Sequence, residues 1–470
     1  MLNMKEKKEN FNDWYNEIVE EAKLIDKRYP IKGMNVWLPY GWSIARKMDE
    51  ILRNLMNESN HDEVCFPLLI PSDQFSKEAE HIKGFGGEVF WVERGGNEKL
   101  DIPLILRPTS ETAMYPMFSL WIRTHGDLPL KIFQIVNVFR YETKQTRAFM
   151  RVREIHFFEA HTCHESKEDS ENQIKEDMEI WKKFCEKMAL PYILNRRPDW
   201  DKFAGAEYSI AADTIMPSGR PLQIGTMHSY GQNFSKAYEI MYTGEDGSRE
   251  FVYQTTFGIS ERIIGAIVGI HGDDRGLVLP PEIAPYQIVI IPIILGDKEI
   301  IIQESGRLFE ELKNYFRVKL DDRDDYTPGY KFYDWELKGV PLRIEIGPRD
   351  IKNNVITIAR RDRFERITVR RDEVKTKIRE ILDDIQKNLN EKAWKYMNSM
   401  IKTAESMEEI KKDEGVNIIH WCGSKDCADV IDNETGKKVL GLPLNGERKM
   451  GKCVVCGMET DITCYIGKPY

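Results

Sequence analysis

Residues 137 to 161, NVFRYETKQTRAFMRVREIHFFEAH, place charged side chains inside two otherwise apolar alternating runs. Alternation puts Arg140 and Glu142 on one face of the first run, and Arg151, Arg153 and Glu159 on one face of the second. An inward guanidinium needs an anionic partner, because burying it unpaired is costly. That partner is either a bound anion or the chain's own Glu142, Glu154 and Glu159 in a structural ion-pair network. A second clue lies in FGISERIIGAIV, residues 257 to 268. Ser260 is a good N-cap for the apolar helix that follows, which sets Arg262 in the first turn, where the helix dipole disfavours a cation. A bound anion explains the placement; a surface salt bridge to Glu261 or Asp274 is the plainer alternative.

The cysteines suggest a different chemistry. Of eight, five crowd into residues 422 to 470, and four of these form close pairs, Cys422 with Cys427 and Cys453 with Cys456. Four thiolates in two pairs complete a tetrahedral zinc shell, and a shell with no water position is structural. Four reduced core thiols are the alternative, and His420 or Cys464 can substitute for one ligand. Without a secretory segment, the pattern points to metal rather than to disulfides.

Together these motifs are recognisable. Phe139-Arg140-Tyr141-Glu142 with its arginine-bearing loop resembles motif 2 of the class II aminoacyl-tRNA synthetases, residues 257 to 268 resemble motif 3, and CFPLLIP around Pro67 resembles motif 1. LRPTSE, QIGTMHSYGQNFSKAYEI, HGDDRGLVLPP and the terminal cysteine region narrow the resemblance to prolyl-tRNA synthetases of the archaeal and eukaryotic type, from about residue 12 to Tyr470.

The resemblance implies an ATP-dependent proline-tRNA ligase that forms prolyl-adenylate and passes the prolyl group to the 3' end of tRNA(Pro). Arg140 and Arg262 are then catalytic. Arg140 bridges the amino-acid carboxylate and the α-phosphate; Glu142, Arg151, Gln223, Thr226, Ser260 and Arg262 bind ATP, with Mg2+ offsetting its charge. Thr109 and Glu111 hold the secondary ammonium of proline, and His228 walls its site, although Thr109 as an ordinary helix N-cap is what the local sequence alone favours. Strand parity sets Gln223 opposite Thr226 and His228 unless a bulge intervenes near Gly225. Tyr470 either reaches towards the active site or ends an exposed tail.

Strands and helices must bring these residues together. Lys131 to Glu142, Arg151 to Ala160, Leu222 to Tyr230 and Phe251 to Gly258 read as strands, with a hairpin loop at Thr143 to Met150. Strands follow strands without crossover helices, so the chain reads as an α+β multidomain protein: a class II synthetase antiparallel sheet with flanking helices, an α/β anticodon-binding domain, and a small zinc-containing α/β C-terminal domain. The expected divisions are 1–282, 283–386 and 387–470, with HGDDRGLVLPPEIAP as linker and a long charged helix from Asp372 to about Lys412.

At 470 residues, three cores are reasonable. The net charge of −9 gives no sign of a nucleic-acid binder. Locally, however, RRDRFERITVRR at 360 to 371 carries six arginines against two acids and, with Lys331, Arg343, Glu345 and Arg349, offers a tRNA contact or an ordinary solvated face. No run is long enough to span a membrane, and a cytoplasmic homodimer is expected. Only residues 162 to 256 separate motifs 2 and 3, too few for the inserted editing domain of bacterial-type enzymes. Rejection of alanine and cysteine then falls to the synthetic pocket or a separate editing hydrolase. The rivals are a threonyl or histidyl synthetase and a catalytically silent RNA-binding paralogue.

Overall fold

The computed structural model describes residues 6–75, 87–444, 446 and 449–470; residues 1–5 of the charged opening lie outside them. At its centre, five long strands run antiparallel side by side: Leu130–Phe139, Glu154–His164, Tyr253–Ser260, Pro221–Gly231 and Tyr208–Ile215. Helix Lys167–Met188, capped by Ser166, buries Ile174, Trp181, Phe184 and Met188 against this sheet. Gly225 is required there: a Cβ on it would lie 2.5 Å from Trp181 Cζ3. The N-terminal helix Phe11–Glu21 buries the predicted stripe of Phe11, Trp14, Tyr15, Ile18 and Val19, and Tyr15 donates to the Ala148 carbonyl at 3.0 Å.

The hairpin opens earlier than periodicity predicts: its first strand ends at Phe139 rather than Glu142, and its second starts at Glu154 rather than Arg151 and runs on to His164. After the last rung, Arg140 N–H to Arg153 O, the chain leaves the ladder: Tyr141 N–H donates to Glu88 O and Glu142 N–H to Arg140 O, each at 2.7 Å. Arg140, Glu142 and Arg151 therefore sit on a broad turn, not on strand faces. The expected strand at Phe251 divides into Arg249–Phe251 and Tyr253–Ser260.

A second sheet, ordered Val318–Leu320, Ile288–Pro292, Leu342–Ile346, Val355–Arg360 and Arg366–Arg370, forms the expected α/β unit. Its first three strands are parallel, the pairing that helix crossovers produce. The proline-rich segment before it is no loose tether. Leu277, Leu279, Ile283 and Ala284 are buried in the main core, and Leu277 and Leu279 donate to the carbonyls of Leu337 and Gly339. Arg361 grips Asp273 through two bonds of 2.7 and 2.6 Å.

The long charged helix stops at Ser399, not Lys412; strand Ile401–Thr403 and a short helix Met407–Lys412 follow. The C-terminal strands do not stand apart. Lys438–Pro443 pairs with Ile193–Arg196 through Leu442↔Arg196 and Pro443↔Asn195, so one sheet of eleven strands runs from the cysteine unit into the large unit.

Candidate active site

Thr109, Glu111, Arg140, Glu142, Arg151, Gln223, Thr226, His228, Ser260 and Arg262 all line one cavity of about 350 Å3. The parity conflict on Pro221–Gly231 is resolved by a bulge: Gly225 pairs with Ala212 and Gln223 with Asp213, leaving Ile224 unmatched. Gln223 thereby faces the cavity with Thr226 and His228.

Arg262 opens helix Arg262–His271, but the cap differs from expectation. Glu261 occupies the N-cap position, and Ser260 is held extended by pairing with Phe157, its Oγ 3.4 Å from Arg262 N. The Arg262 guanidinium donates to two carbonyls, Met150 at 2.8 Å and Gln223 at 3.2 Å. The salt-bridge alternative is not realised: Glu261 accepts from His156 N at 2.9 Å, and Asp274 from Lys7 N at 2.8 Å. Burial, with Arg140 and Arg151 adding repulsion, lowers Arg262 to about 10. Three clustered guanidiniums, one of them fixed by neutral carbonyls, make a seat for negative charge.

Arg140 donates from Nε to Pro108 O at 3.1 Å; burial lowers it, while Glu111, Glu88 and Glu159 act in the opposite direction. Of the predicted ion-pair network, Arg151 and Glu142 approach to 3.6 Å. Glu154 instead accepts from Asn137 Nδ2, and Glu159 is engaged by the segment before helix Glu111–Trp121. Ser110 is that helix's N-cap, without a side-chain cap bond, and Thr109 Oγ1 donates to Glu159 Oε2 at 3.4 Å. Thr109 is thus not the cap that the local sequence favours.

Glu111 is buried; its Oε1 accepts from Tyr230 Oη at 2.6 Å, and its Oε2 has no partner. An unpaired buried carboxylate oxygen on a residue that lines a cavity calls for a cationic donor. Beside it, His228 stacks on Phe203 with centroids 4.7 Å apart and shares a 2.7 Å hydrogen bond with Ser209. Burial, reinforced by His161, Arg140 and Arg197, lowers His228 to about 3, so the ring is neutral. One end of the cavity suits an ammonium with a small apolar body, the other a polyanion.

Sulfur geometry singles out the predicted quartet. The Sγ atoms of Cys422, Cys427, Cys453 and Cys456 lie within 4.8 Å of one another, Cys422 and Cys427 at 3.5 Å. A tetrahedral zinc with bonds of about 2.3 Å needs sulfur separations of about 3.8 Å. Burial raises the Cys453 thiol, but the backbone N–H groups of Cys456, Val455 and Cys422 prevail, to about 7. Cys464 shares the apolar core with this group but is not part of it, and His420 Nε2 bonds Lys449 O at 3.0 Å.

Known proteins bear directly on this arrangement. Three family models match in order: tRNA synthetase class II core domain (G, H, P, S and T) over residues 90–271, anticodon binding domain over 287–381, and prolyl-tRNA synthetase C-terminal domain over 403–470. The proline-tRNA ligase of Pyrococcus abyssi is 53% identical over 100% of both chains. That of Thermoplasma volcanium is 54% identical over 97% of each. The chain belongs to the prolyl-tRNA synthetases. A solved structure of the Giardia lamblia prolyl-tRNA synthetase in complex with prolyl-adenylate superposes with a TM-score of 0.96, at 35% identity, covering 99% of this chain and 100% of that one.

Membership makes this synthetase an aminoacyl-tRNA ligase for proline. Residues 162–256 are used by the central sheet and its helices, without an inserted editing domain. Tyr470 is docked rather than trailing: its N–H donates to Pro221 O at 3.1 Å and its phenol meets Ser218 Oγ at 3.1 Å. Its ring lies 4.9 Å from the Arg220 guanidinium.

In the anticodon-binding unit of the synthetase, Arg275, Arg343, Arg360, Arg361 and Arg366 line a second cavity of about 250 Å3 with Trp335 and Phe364. The arginines of residues 360–371 are not loose charges. Arg360 pairs with Asp362 and Asp384, Arg361 with Asp273, Arg363 with Asp384, Arg366 with Glu345, Arg370 with Asp372 and Arg371 with Glu311. Lys331 is buried, its Nζ on Asp321 O at 3.1 Å.

Sequence reasoning missed Tyr230, Ser209 and Phe203. Tyr230 lies two residues beyond His228, so strand parity could have found it. Phe203 sits in a loop with no periodicity to reveal it.

Proposed function

We propose that Glu111 and Thr109 take the proline ammonium, that His228 walls its ring, and that Arg140 bridges its carboxylate to the α-phosphate of ATP. Glu142, Arg151, Gln223, Thr226, Ser260 and Arg262 hold the nucleotide, and Arg140 and Arg262 stabilise charge as the carboxylate attacks the α-phosphorus and pyrophosphate leaves. Mg2+ accompanies ATP. The observation that carries this reading is the partnerless, buried Glu111 Oε2, set in one cavity with Arg140, Arg151 and Arg262. Amino-acid-dependent exchange of pyrophosphate into ATP tests it. Proline must support exchange, and Glu111→Gln must raise KM for proline far more than KM for ATP; an equal rise in both removes the assignment.

The same reading extends outward. Cys422, Cys427, Cys453 and Cys456 hold a structural Zn2+, for which the sulfur spacing fits. The second, arginine-rich cavity contacts tRNA(Pro), where guanidiniums and an exposed Phe364 suit phosphate and base. A homodimer buries Leu68, Leu69, Leu120 and Trp121, exposed apolar residues near the 5.6 Å contact of Phe66 and Trp121. The units divide at 1–282, 283–386 and 387–470, helix Val374–Ser399 running through the last division. Work is cytoplasmic; among the described residues no helix is long and apolar enough to cross a membrane. A small pocket rejects alanine and cysteine weakly, so at least one of them supports measurable exchange, and selectivity beyond that of the pocket falls to a separate editing hydrolase.

A further inference from the structure

In the wall of the cavity lies a buried carboxylate, Glu159, whose oxygens are engaged by the protein. Glu159 Oε1 accepts from Ser110 Oγ and from Gln134 Nε2, the latter at 2.9 Å. Its Oε2 accepts from Ser110 N at 3.2 Å, Thr109 Oγ1 at 3.4 Å and His161 Nε2 at 3.2 Å. Burial alone would raise the Glu159 carboxyl, but the His161 contact and these other bonds bring it below its ordinary value. Gln134 cannot reverse its role, since its Oε1 already accepts from Phe66 N at 3.0 Å. The same strand reaches the helix a second time, where His161 Nδ1 and Tyr115 Oη share a 3.1 Å bond. Glu111 lies between these two anchors, at the first position of helix Glu111–Trp121.

We propose that Glu159 is a positioning residue for amino-acid binding: it fixes Thr109 and Ser110, and so aims the partnerless oxygen of Glu111 at the ammonium of the substrate. This rests on the assignment of Glu111 to that ammonium. Both Glu159 oxygens are already held by protein donors, so its part is to hold the loop. An amide in its place must point a donor at Ser110 N–H or at Gln134 Nε2, neither of which can accept, so the loop shifts although the side chain keeps its shape.

The test is proline- and ATP-dependent pyrophosphate exchange with Glu159→Gln, Ser110→Ala and Glu111→Gln, each also followed by thermal unfolding. A displaced carboxylate predicts that Glu159→Gln raises KM for proline on the order of tenfold to a hundredfold, with KM for ATP within about twofold. A rise shared equally by both substrates, or none, overturns the proposal. Should Glu159→Gln fail to fold, Ser110→Ala decides: the same split at about threefold to tenfold supports it, and unchanged constants overturn it. If Glu111→Gln raises KM for proline and Glu159→Gln does not, the positioning role alone falls. If Glu111→Gln leaves KM for proline unchanged, the underlying assignment falls and the positioning role with it.

Discussion

Arg151 Nη2 donates to the main-chain oxygen of Tyr470 at 3.0 Å, joining a residue of the cavity wall to one 319 positions away. Glu142, 3.6 Å away on the other side, completes the grip on this guanidinium. Deleting Tyr470 should release Arg151 and raise KM for ATP about tenfold, the low end of the scale for one hydrogen bond to a charged group. KM for proline should stay close to wild type. Exchange kinetics measured against each substrate check this, and unchanged activation would reduce Tyr470 to a packing residue.

Arg262 keeps its fork between the carbonyls of Met150 and Gln223. Arg262→Lys retains the charge and loses the fork. Losing a preorganised charge stabiliser costs on the order of 10²- to 10³-fold in rate, so kcat for exchange should fall by about that much. A decline below tenfold would show that Arg262 only helps build the site.

Asp177 provides a stability signature far from the chemistry. Burial raises its carboxyl to about 7 from 3.8, and its partner is Gln173 Nε2 at 2.8 Å. The folded state therefore holds a proton that the unfolded chain releases at lower pH. The contribution is fully present below about pH 4 and is lost as pH rises towards 7, at most on the order of 4 kcal/mol. Asp177→Asn keeps the acceptor and never ionises, so its advantage over wild type should grow from pH 4 to 7 and then level off. Thermal melts across that range decide the matter; a constant difference would contradict the raised carboxyl.

Cys453→Ser should lower bound zinc, by elemental analysis, from about one per chain to well below that. Because strand Lys438–Pro443 is hydrogen-bonded to Ile193–Arg196, the melting transition of the large unit should fall with it. Purified wild type with no zinc and an unaltered melt would leave the four thiols as core residues.

Much of this was legible in the residues because order and spacing survive without coordinates. The hairpin arginines, Thr109-Ser110-Glu111 and the cysteine pairs carry the family resemblance; Arg140, Arg151, Thr109 and Glu111 line one cavity, and the four paired cysteines gather at a place of their own. What the sequence concealed were departures from regular geometry. The turn that carries Arg140 and Glu142 off their strand depends on a bond from Tyr141 to the distant Glu88. The unmatched Ile224 is decided by how two strands meet. Net charge misled for a related reason: the arginines of residues 360–371 are each matched by an acid, several of them remote in sequence, such as Asp273 and Glu311.

The pairing of Leu442 with Arg196 also sets a schedule for the nascent chain. Strand Ile193–Arg196 leaves the ribosome with one side unmatched, and its partner follows about 246 residues later, roughly 10 to 50 s at ordinary elongation rates. An open sheet edge over that interval is a template for wrong pairing between neighbouring chains on one message. The strand is only four residues long and ends on a charged arginine, which limits the hazard. A chain cut before residue 438 would never close that edge, so self-association is expected of any attempt to isolate the large unit alone.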